Sequence, residues 1–150
     1  MRGLAIAAAF FLSACGTDSP LAVTEPPDLA GTWEQERSFT TFPLDLDVLQ
    51  DGQSLSGCSL VDTGSNEYVG ALQGSVTADG VVSLVASWVT PPDNEEFTWS
   101  FDGDLVANLL SGSSTLTWVH DGSAPGQFWS DEETNFSRTS VKADGVWGAP

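Results

Sequence analysis

After residue 20 the apolar positions of this chain repeat every second residue. Leu44, Leu46 and Val48 alternate with Asp45 and Asp47. Phe97, Trp99 and Phe101 alternate with Thr98 and Ser100, and Leu116 and Trp118 with Thr115 and Thr117. Successive side chains of a strand point to opposite faces, so each run predicts a strand with one face inward and one in water. Turn signals recur at Asp51-Gly52, Asp79-Gly80, Asp102-Gly103, Asp121-Gly122 and Asp144-Gly145, the dipeptides that favour hairpins. The pattern predicts eight antiparallel strands over about 31–38, 43–50, 53–61, 67–77, 81–90, 95–106, 108–119 and 133–141. A hairpin at Asp102-Gly103 would instead give nine segments.

An apolar residue, any residue and a glycine recur as Leu55-Ser56-Gly57, Leu72-Gln73-Gly74, Phe101-Asp102-Gly103 and Leu110-Ser111-Gly112. Glycine inside a strand weakens it unless the strand bends or bulges, and small closed barrels need such bends. Tight turns join strands two and three, four and five, and six and seven. Longer connections fall near 39–42, 62–66, 91–94 and 120–132. In an up-and-down barrel alternate connections share an end, so short turns close one end and long loops surround the other. The expected fold is all-β, an eight-stranded antiparallel up-and-down barrel over 29–141, with a tail over 142–150 that includes Trp147.

The first twenty residues follow other rules. Met1-Arg2-Gly3 precedes an apolar run from Leu4 to Leu12. Nine helical residues cover about 14 Å, against the roughly 30 Å of a bilayer core, so the run reads as an export signal and not a span. It ends in Leu12-Ser13-Ala14-Cys15, which resembles the lipobox of bacterial lipoproteins. The resemblance implies a signal peptide over 1–14, cleavage before Cys15 and lipid on Cys15. The membrane then becomes the partner, reached through that lipid. Gly16 stands where that family carries its inner-membrane retention aspartate, which implies the outer membrane in a two-membrane envelope. Residues 15–28, with Thr17-Asp18-Ser19-Pro20 and Thr24-Glu25-Pro26-Pro27-Asp28, cannot bury a core and read as a tether.

Charge narrows the partners. The chain carries 21 acids against four Lys and Arg, a formal net charge of −17. Nucleic acid and anionic headgroups are repelled by such a surface. The acids are scattered, as on a solvated repulsive surface or in a saline habitat. Asp45, Asp47 and Asp51 lie close together but lack the glycine and terminal glutamate of a calcium loop. With Cys15 lipidated, Cys58 has no disulfide partner and reads as a small, buried or half-buried residue.

Gly31-Thr32-Trp33 opens the first strand as the Gly-x-Trp motif does in lipocalins and avidins, and the chain resembles that calycin-type group. In lipocalins a late arginine packs on the tryptophan, and the resemblance assigns this structural role to Arg138 over Trp33. Avidins line their pocket with four tryptophans, and Trp88, Trp99, Trp118 and Trp129 are similar to that set in order and position. The polar half of the avidin site is not matched. Gln35, Ser38, Ser59 and Val61 stand where that family has hydrogen-bonding groups on its first and third strands, and Asn135 to Ser137 where it has an aspartate. Biotin is therefore disfavoured as a ligand.

No Gly-x-Ser-x-Gly elbow and no His/Cys cluster with metal spacing is found, so no enzyme activity, metal or cofactor is expected. His120 reads as a solvated loop residue, and Asp131-Glu132-Glu133 as a solvated stretch ahead of the last strand. Two functions remain. In the first, Trp88, Phe97, Trp99, Trp118 and Trp129 form an aromatic mouth that binds a small apolar or amphipathic ligand. A pocket of about 300 Å³ or more would mark it. In the second, side chains fill the barrel and the protein is a structural or interaction lipoprotein of the envelope.

Overall fold

The computed structural model describes residues 24–36, 43–63, 65–91, 95–120 and 123–141, without the side chains of Phe128 and Trp129. The signal peptide, Cys15, the start of the tether, Ser38 and the 142–150 tail lie outside the described residues. Eight strands follow one another: β1 (Gly31–Gln35), β2 (Leu44–Asp51), β3 (Ser54–Asp62), β4 (Glu67–Val76), β5 (Val81–Thr90), β6 (Glu95–Val106), β7 (Leu109–Val119) and β8 (Gly126–Ser140). Each pairs antiparallel with the next, and β8 returns to β1, which closes the barrel. The period-two pattern is visible along β5, where Val82, Leu84, Ala86 and Trp88 are buried and the residues between them exposed.

Two features differ from the sequence expectation. The eighth strand starts at Gly126 and not near 133, so Trp129, Asp131, Glu132 and Glu133 lie within it and the preceding loop is short. The β7–β8 register shifts between Ser114 and Thr117, and Asp131 takes a φ of +53°. Bulges of this kind interrupt the alternation by which a strand is recognised. His120 is not simply solvated either: its Nδ1 lies 3.5 Å from Oε1 of Glu95 at the long-loop end.

Among the described residues large side chains pack the interior. Trp99 is stacked on Phe101 with ring centroids 5.9 Å apart, and Phe136 meets both edge-on at 5.7 and 5.8 Å. Trp33, Leu46, Leu84, Leu110 and Leu116 complete the core with them. Small residues make room for the rings. Asp102-Gly103 stays within β6, where a Cβ on Gly103 would sit 2.6 Å from Cζ of Phe101. The glycine leaves space for the aromatic ring.

The short-turn end is plugged by the segment ahead of β1. Trp33 Nε1 donates to the carbonyl of Leu29 at 2.9 Å, and the amide of Leu29 donates to Gln50 Oε1 at 2.6 Å. Gln50 Nε2 donates to the carbonyl of Pro27 at 3.1 Å. The guanidinium carbon of Arg138 lies 4.7 Å from the centroid of the Trp33 ring, and its Nη2 donates to the carbonyl of Asp28. A desolvated cation over an indole contributes about 2 kcal/mol. Arg138→Ala is therefore expected to lower the melting temperature by several degrees, and Arg138→Lys to recover only part, because lysine lacks the planar fork. Equal melting of wild type and Arg138→Ala in calorimetry would remove this contact from the stability of the barrel.

Candidate functional site

At the long-loop end the inward faces of β3 to β7 form a shallow aromatic cup. Trp88 of β5 and Phe97 of β6 are register partners, so their rings are neighbours. They stack almost parallel, 3° apart in plane and 5.8 Å between centroids. Val61, Tyr68 and Leu116 add apolar walls, and Thr63 and Thr90 complete the lining. The hollow between them is about 40 Å³. One water occupies about 30 Å³ of liquid, so this space admits a few heavy atoms.

The five aromatic residues singled out in the sequence do not form one site. Trp88 and Phe97 line the cup. Trp118 is the register partner of Phe97 and half-buried, and a Cβ on Gly126 would fall 2.2 Å from its Nε1, so its indole packs against the start of β8. Trp99 is 1% exposed and belongs to the core beneath. The backbone of Trp129 pairs with Leu116 in β8. Tyr68 has no place in the sequence reading, and Val61 enters it only as an apolar residue at an avidin-like position, not as a wall of the cup. Their signal was available: both occupy inward positions of the period-two pattern and face each other in register between β3 and β4.

Below the cup the walls carry small polar residues. Ser114 and Thr134 share a hydrogen bond of 2.6 Å in the interior. Ser59 is completely buried beside Gly70, with no partner for its hydroxyl among the described residues. Val61 there offers no polar atom from its side chain. Outside the barrel Cys58 is half-buried, and its thiol is pushed above its ordinary value by burial and then by the nearby Asp47 carboxylate. A thiol held protonated is a poor nucleophile. Among the described residues, no three His, Cys, Asp or Glu side chains converge as a metal site.

A closed, eight-stranded, antiparallel up-and-down barrel with an aromatic cup at its long-loop end is the class defined by this fold and site, an architecture compatible with the lipocalin-like and avidin-like barrels. Comparison with protein-family models, with curated proteins and with solved structures finds no match.

Proposed function

We propose that the protein is a non-enzymatic, lipid-anchored lipoprotein of the cell envelope whose filled barrel is a rigid interaction module. Its cup takes one small apolar group of a partner or ligand and does not engulf a whole amphiphile. The observation that carries this reading is the interior packed with Trp99, Phe101 and Phe136 beneath a hollow of only about 40 Å³. That is far below the roughly 300 Å³ of an ordinary ligand pocket. The anchor rests on the sequence Leu12-Ser13-Ala14-Cys15. Because the segment Pro27–Ala30 enters at the plugged end, a tether from Cys15 turns that end toward the membrane and the cup away from it.

Tryptophan fluorescence tests the cup. Small probes such as toluene or isobutanol are expected to give a saturable change only at millimolar concentration, since a few atoms at no more than about 1.5 kcal/mol each limit the affinity. Trp88→Ala is expected to remove that change. Palmitate is expected to give none. Micromolar palmitate binding lost in Trp88→Ala would restore the reading of a ligand held within the barrel. A flat response to every probe would leave the cup as packing alone. Cys15→Ser is expected to move the protein from the membrane fraction to the soluble fraction, and unchanged fractionation would refute the anchor.

A further inference from the structure

Aromatic side chains from three neighbouring strands line the cup: Tyr68 of β4, Trp88 of β5 and Phe97 of β6. A carboxylate accompanies them. Glu95 precedes Phe97 by two positions on β6, so alternation puts it on the same inward face. Its register partner is Thr90, which itself lines the cup. The Glu95 side chain is 33% exposed, and the only histidine, His120, lies beside it. Two further carboxylates, Asp62 and Glu67, are register partners where β3 ends and β4 begins, next to the pair Val61 and Tyr68. Among the described residues the one Lys or Arg is Arg138, at the plugged end. The long-loop end is thus aromatic within and anionic around the opening.

We propose that the cup seats a trimethylammonium head group, the cationic end of a choline-like molecule. This rests on the cup being a binding site and names what it takes. The rings attract a cation over their faces, and aromatic surroundings are the usual hold on quaternary ammonium ions. A primary ammonium brings N–H groups that must each find an acceptor, and the lining offers only threonine hydroxyls and backbone for them. A nitrogen that carries methyl groups in place of hydrogens presents apolar surface and has no such need. Glu95 and the net charge of −17 favour a cation and repel an anion, which sets choline above zwitterions such as betaine. The size agrees, because a trimethylammonium group is within the few heavy atoms that a hollow of about 40 Å³ admits.

Ligand-observed NMR of the methyl protons, with the full-length chain at constant ionic strength, tests the proposal. Choline is compared with its neutral analogue, the dimethylbutanol in which a carbon replaces the nitrogen. Choline is expected to bind about tenfold more tightly than this alcohol. Betaine should bind more weakly than choline. Trp88→Leu keeps an apolar wall without the ring, and should remove most of the preference for choline over the alcohol. Glu95→Gln should weaken choline about threefold and leave the alcohol unchanged. Glu95 is partly exposed, so its variant reads the charge preference even where Trp88→Leu fails to fold. Equal or tighter binding of the alcohol, or a choline preference that both variants retain, overturns the cation assignment and leaves the cup as a site for a neutral group. Binding of neither compound removes the cup as a binding site, and the assignment with it.

Discussion

Trp33→Ala is expected to destabilise the barrel by about 3–5 kcal/mol, the usual loss for a buried aromatic side chain cut to alanine. Trp33 is fully buried, and three separate interactions converge on it. Its ring carries the Arg138 guanidinium, its Nε1 holds the Leu29 carbonyl, and its backbone pairs with β2 on one side and β8 on the other. Removing the indole leaves the arginine over a void and frees the segment that plugs the barrel. For a domain of this size the melting temperature should fall by more than about ten degrees. Trp33→Phe keeps the apolar ring but not the donor, and should fall between alanine and wild type. A fall of only a few degrees in calorimetry for Trp33→Ala would show that the plug is not a main support of the fold.

Gly112→Val is expected to prevent the native barrel from accumulating. Gly112 of β7 and Gly103 of β6 are register partners. A Cβ on Gly112 would lie 2.2 Å from the carbonyl oxygen of Asp102 and 2.5 Å from Cα of Gly103. Both obstacles are backbone atoms, so no rotamer change relieves them, and the two strands would have to part. Gly57 is closed for a second reason: its φ is +146°, a region that side chains disfavour, and a Cβ there would meet the carbonyl of Asp47 at 1.9 Å. Gly52 is the control. It sits in the β2–β3 turn with φ +59° and nothing within 4 Å of a Cβ, so Gly52→Asn should be tolerated. The readout is soluble yield with the far-ultraviolet circular dichroism of a sheet. Native yield and melting of Gly112→Val would contradict the close approach of β6 and β7.

Much of this was legible because a closed sheet imposes one rule on every strand. Alternation alone assigns Leu44, Leu46, Val48, Phe101 and Leu116 inward, and the structure buries all five. The glycines of the apolar-x-glycine element were legible as special strand positions, and Gly103 and Gly112 are register partners where β6 and β7 approach closely. Depth along the barrel axis was not legible. Trp88 and Trp99 obey the same alternation, yet one borders the cup and the other lies in the core. The register decides it: Trp88 pairs with Phe97, which holds it beside another ring, whereas Trp99 pairs with Ala86, whose small side chain lets the indole lie across the interior. The start of β8 was hidden for a different reason. Gly126-Gln127-Phe128-Trp129-Ser130 has no alternation, and the positive φ of Asp131 adds a residue to the strand that its partner does not match.

The barrel is locked where its first strand meets its last. β1 has only five residues, and its partners on β8 lie about a hundred positions later in the chain. A nascent chain delivers β1 early and then waits for nearly everything else before that seam can form. Until then the growing sheet has two open edges, each a row of unsatisfied amides and carbonyls able to recruit another strand. The dense negative charge of the chain acts over this interval, keeping half-made copies apart until the final strand arrives and the cylinder shuts.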